Sequence, residues 1–64
     1  MYDLEIKDTE GFWSQTVDFY GLSRKQCLDI IEISKNQEHL EILITDNDAK
    51  PKKVYDVNEF INLN

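Results

Sequence analysis

Apolar and polar residues alternate from the first position. Tyr2, Leu4 and Ile6 fall on one side, and Asp3, Glu5 and Lys7 on the other. A period of two with one apolar side predicts a half-buried strand over residues 1–7. Asp8-Thr9-Glu10-Gly11 follows, a polar tetrad closed by glycine. It suits a tight hairpin with Gly11 at the position that needs positive φ. A second strand is expected over residues 13–20, supported by its β-branched and aromatic content. Trp13, Gln15, Val17 and Phe19 would share one face, and Ser14, Thr16, Asp18 and Tyr20 the other. Trp13 is expected in the core; the alternative is an exposed anchor at the hairpin end.

Gly21-Leu22-Ser23 is read as the turn into a helix. Ser23 is a good N-cap and Gln26 lies three residues on, which is a reciprocal capping box, with Leu22 and Cys27 at the staple positions. The helix should run over residues 24–35, with Asn36 as a left-handed terminator. Cys27, Leu28, Ile30, Ile31, Ile33 and Ser34 cover an arc of roughly 220°, wider than the apolar stripe of an ordinary surface helix. Ile30 and Ile33 therefore call for a second cover.

Residues 39–45 form a third strand, with Leu40, Ile42 and Ile44 on one side and Glu41, Leu43 and Thr45 on the other. A polar loop over 46–50 leads to Pro51 and a short fourth strand over 52–55. Asp56 and Glu59 make a second capping box, opening a short final helix with Val57, Phe60, Ile61 and Leu63 on one face. So short a helix must dock, and the Ile30/Ile33 flank is its expected seat.

The pattern gives an α+β fold in one small domain over residues 1–64. It is a single-layer sheet of about four strands packed on one main helix, in the order ββαββα, with the short helix at the C-terminus. No linker, repeat or low-complexity segment interrupts it. The hairpin, crossover helix and third strand together resemble the opening of the β-grasp fold. That resemblance implies a third strand beside the first and parallel to it, and it implies no function.

Charge changes the picture more than composition does. Seven basic residues stand against thirteen acidic ones, for a net charge of −6. That balance argues against nucleic-acid binding, because phosphates are met by Lys and Arg. No apolar run approaches a membrane span or a signal-peptide core. A single cysteine makes no internal disulfide, which suits an intracellular, cytoplasmic setting.

Candidate chemistry is sparse, and no catalytic, metal or cofactor-binding residue is expected. Nucleophilic catalysis needs a nucleophile, a base and an orienting group in mutual reach. The one thiol, Cys27, sits on the apolar arc, and the one imidazole, His39, sits in a loop. Asp46-Asn47-Asp48 suits a turn held by Asx hydrogen bonds. An EF-hand would need Gly at its sixth position and Glu at its twelfth, where this chain has Pro51 and Val57. Gly11 and Gly21 form no phosphate loop. Lys50, Lys52 and Lys53 read as a solubilising edge that discourages strand addition. The carboxylate pairs Asp3/Glu5, Asp8/Glu10 and Asp46/Asp48 read as solvated.

The outer sheet face is more informative. It should carry Asp3, Glu5, Asp18 and Glu41 among Thr16, Tyr20, Leu43 and Tyr55. Aromatic and aliphatic anchors among carboxylates suit a contact with a basic protein. The expectation is a non-enzymatic, small acidic binding module. It would act as an inhibitor on a basic or nucleic-acid-binding surface of a larger protein, by analogy with small acidic virus-encoded inhibitors. The alternative is an assembly protein that forms a homodimer through Ile30 and Ile33.

Overall fold

The computed structural model describes residues 1–34, 37 and 39–63. These residues form a four-stranded antiparallel sheet and two helices. These are β1 (Tyr2–Asp8), β2 (Val17–Leu22), α1 (Arg24–Ser34), β3 (Leu40–Asp46), β4 (Lys53–Tyr55) and α2 (Val57–Ile61). The strand order is β2-β1-β3-β4. Among the described residues, no helix is long and apolar enough to cross a membrane.

β1 and β3 are the central strands, and their alternation works as the sequence implies. Leu4, Ile6, Ile42 and Ile44 are buried under the helices. Cys27 and Ile31 come down from α1, and Phe60 from α2, to complete the core. β3 lies beside β1 but antiparallel to it, pairing Leu4 with Ile44 and Ile6 with Ile42. This corrects the parallel placement implied by the β-grasp resemblance. The crossover through α1 starts from β2, so it sets β3 parallel to β2, and β1 lies between them in the opposite direction.

The second strand differs from its expected bounds at both ends. Residues 13–16 lie outside the ladder because Asp8 captures their approach. Its carboxylate accepts the Glu10 N–H at 2.9 Å and the Trp13 N–H at 3.0 Å. Such local side-chain bonds offer the backbone an alternative to the ladder. Gly11 does take positive φ, at 79°, within this longer loop. Trp13 is 41% exposed, which corrects its expected core position.

At its other end β2 continues through Gly21 and Leu22, read from sequence as a turn. The register runs Leu4↔Phe19 but Tyr2↔Leu22, so Tyr20 and Gly21 together oppose Asp3. This is a β-bulge, and Gly21 takes φ 68° there. The extra residue lets Phe19 and Leu22, three apart, both pack against the core.

Both capping boxes form. The Ser23 N–H donates to Gln26 Oε1 at 2.8 Å, and the Gln26 N–H to Ser23 Oγ at 3.2 Å. The Asp56 N–H donates to Glu59 Oε1, and the Glu59 N–H to Asp56 Oδ1 at 2.8 Å. The expected stop of α1 at Asn36 lies outside the described residues.

α2 does not seat on the Ile30/Ile33 flank. It packs on β3 and β4, where Phe60 is fully buried and meets Tyr2 edge to face, with ring centroids 5.2 Å apart. Arg24 spans the gap between the helices. Its guanidinium lies 5.1 Å from the Phe60 ring centroid and donates to the carbonyls of Phe60 and Leu63. Ile30 packs partly into the core, while Ile33 stays 80% exposed.

Candidate functional site

The outer face of the sheet takes its side chains from the alternate positions that the core does not use. β1 contributes Asp3, Glu5 and Lys7. β2 contributes Asp18 and Tyr20, and β3 contributes Glu41, Leu43 and Thr45. The ladder sets them in rows. Glu5 has Asp18 directly across on one side and Leu43 on the other. In the next row Thr45 lies between Asp3 and Val54. A shallow hollow of about 360 Å³ lies over these rows, walled by Asp3, Glu5, Asp18, Tyr20, Leu43 and Val54.

Asp3, Glu5, Asp18, Tyr20 and Leu43 thus come together as expected. Glu41 shares their face but stands farther along β3, opposite Lys7. Thr16 lies before β2 and donates through its hydroxyl to Asp18 at 3.4 Å. Tyr55 is on the other face. It pairs with Ile44 and packs against the core, with the Lys53 ammonium 5.0 Å from its ring centroid. Val54 takes the outer position that sequence parity gave to Tyr55. A three-residue strand carries too short an alternation to say which of the two faces outward.

The face is predominantly acidic, with Asp3, Glu5, Asp18 and Glu41 sharing it with Lys7. Glu5 and Asp18 face each other, and among the described residues neither is ion-paired with Lys or Arg. Like charges directly opposite in a ladder are destabilising. Asp3 is held more firmly. It accepts the Gly21 N–H at 3.1 Å. That bond keeps its carboxyl below the usual carboxylate range, helped by the Asn47 side chain and the charge of Lys52. The bulge and the acidic face are therefore built on one contact.

The described basic residues are dispersed. Arg24 is committed to α2, Lys25 pairs with Asp29 at 2.9 Å, and Lys53 sits over Tyr55. Of the Lys50/Lys52/Lys53 run, Lys52 lies toward Asp3 and Lys53 toward the helices. Cys27 is buried, and burial pushes its thiol up. His39 offers its backbone carbonyl to the Thr9 N–H and hydroxyl. The start of α1 and His39 lie toward opposite ends of β1, since Leu22 pairs with Tyr2 and Leu40 with Asp8. Asp46 Oδ1 accepts the Asp48 N–H at 3.0 Å, an Asx turn. Among the described residues, no group of His, Cys, Asp and Glu is arranged to hold a metal ion.

Besides Ile33, exposed apolar features among the described residues lie outside this face at a groove and at a loop. One is a groove of about 530 Å³ between the helices, where Ile31, Val57 and Ile61 flank Leu40 and Ile42 and Glu32, Ser34, Gln37 and Asn58 supply polar walls. It marks the seam that the final helix leaves open. The other is Phe12, beside Trp13 in the loop that Asp8 organises. Sequence reasoning placed a tight turn over 8–11 and gave an exposed Trp13 as its alternative, but it did not single out Phe12, for which adjacent aromatics after a glycine were the available signal. No protein-family model matches the chain, and no curated protein or solved structure matches it.

Proposed function

We propose that the chain is a non-enzymatic protein-binding module whose outer sheet face contacts a basic surface on a larger protein. Its action would be inhibitory, covering a basic site that otherwise binds nucleic acid. The opposition of Glu5 and Asp18 across β1 and β2 carries this reading. Their repulsion works against the fold, and a cation supplied by a partner would reverse its sign. Tyr20, 73% exposed, stands beside these carboxylates, and tyrosine is among the residues that dominate interface energetics. The net charge of −6 would speed encounter with a basic partner and slow it with a nucleic acid. The single thiol fits an intracellular, cytoplasmic setting.

The test uses the immobilised chain and a cell lysate at low salt. Proteins retained by the wild type should elute with salt and be lost on a Glu5→Lys/Asp18→Lys surface. An oligonucleotide should compete for the same partner. Retention that survives the double charge reversal would remove the outer face from the reading.

A second reading is assembly through a two-fold contact around Ile33, favoured by the exposure of that isoleucine on α1. Sedimentation at micromolar concentration separates the two, since a monomer of 7.6 kDa leaves only the first.

A further inference from the structure

We infer that the open edge of β2 is where the partner docks, as an extended basic segment that adds to the sheet as a fifth strand. This rests on the protein-binding reading and gives it a geometry.

The sheet has two edges, β2 and β4, and they are defended unequally. β4 is three residues long, follows Lys50-Pro51-Lys52 and carries Lys53. Short length, proline and lysine are the usual means of keeping another strand away. β2 is six residues long and contains neither lysine nor proline. Among the described residues, no strand lies beyond it. Its bulge at Tyr20 and Gly21 limits addition to the regular stretch from Val17 to Phe19.

Edge chemistry selects the occupant. On the outer face the edge offers Asp18 and Tyr20; on the helix side it offers Val17 and Phe19. Side chains of an added strand alternate between the same two faces. The complementary segment therefore alternates Lys or Arg, placed beside Asp18, with β-branched or aromatic residues, placed beside Val17 and Phe19. Main-chain hydrogen bonds would supply affinity and the alternating side chains specificity. A cation at that position lies beside Asp18, on the side away from Glu5, and offsets part of the charge of that pair. A second copy of this chain fits poorly, because pairing β2 with itself brings one Asp18 near another and joins two chains of charge −6.

The experiment is an NMR titration of the full chain with three peptides of the same lysine and valine content. One alternates lysine and valine; a second has the same residues in blocks; a third alternates but has every second backbone amide methylated. The first should slow hydrogen exchange at least tenfold at the β2 amides that face away from β1. The other two should bind at least tenfold more weakly, as should the first peptide to an Asp18→Lys variant. Shifts at Glu5, Leu43 and Thr45 without added protection in β2 would overturn strand addition and leave the basic-partner reading standing. No response to any of the peptides would overturn both. Protection in β2 that grows with protein concentration alone would make a second copy the occupant and overturn the proposal.

Discussion

Glu5 and Asp18 stand directly opposite each other on neighbouring antiparallel strands, with no cation paired to either among the described residues. A sheet selected for stability alone would put opposite charges there. Glu5→Lys should therefore stabilise the fold, by about 0.2–1 kcal/mol, while it weakens capture of a basic partner. Urea denaturation and partner binding measured on the same variant test both halves. A variant less stable than the wild type would show that Glu5 has a structural role.

Phe60 and Arg24 hold the second helix in place. Phe60→Ala should cost about 3–5 kcal/mol, a large part of the stability of a domain this small. Arg24→Ala removes the cation from the ring and leaves two carbonyls without their donor, for a loss of about 1–3 kcal/mol. In both variants the lost stability should appear as one earlier transition in circular dichroism. A native core that persists while α2 alone melts would contradict the tie between the helices.

Asp8 is the only buried charged side chain among the described residues, and it works by accepting two loop N–H groups. Asp8→Ala leaves them unpaired, at about 1–3 kcal/mol, and frees the segment that carries Phe12 and Trp13. The fluorescence of Trp13 should shift to the red and become more quenchable. Unchanged emission would mean that Trp13 is positioned by something else.

Cys27 should be nearly inert to alkylating reagents in the folded chain and react rapidly in urea, since it is buried with its thiol pushed up. Stability follows from the same shift. The contribution is complete below the ordinary thiol range and fades as pH rises through it, because the unfolded chain then loses the proton first. Cys27→Ser should leave binding intact. Folded-state labelling as fast as in urea would contradict this placement.

Much of the architecture was legible because it is local. The alternation of Tyr2, Leu4 and Ile6 and of Leu40, Ile42 and Ile44 marked the two central strands, and both capping boxes marked helix starts. What was hidden depends on partners distant in sequence or on slack in the ladder. Nothing near Trp13 announces that Asp8 will take its N–H. Phe19 and Leu22 look out of phase until a bulge is allowed. Ile30 and Ile33 had the right spacing to receive a helix, but Phe60 is buried beside Tyr2 instead. Of the site, the acidic residues were visible from parity alone, while Val54 and Tyr55 exchanged faces because β4 is so short.

Gly21 is one residue more than the strand needs. Without it, Val17, Phe19 and Leu22 would fall into strict alternation with Asp18 and Tyr20, and Leu22 would still oppose Tyr2. A deletion at this glycine should thus be accepted by the fold, yet it would straighten the outermost strand along its whole length. The surplus residue acts as a safety catch. Remove it, and the sheet gains a flat outer edge on which further strands can stack.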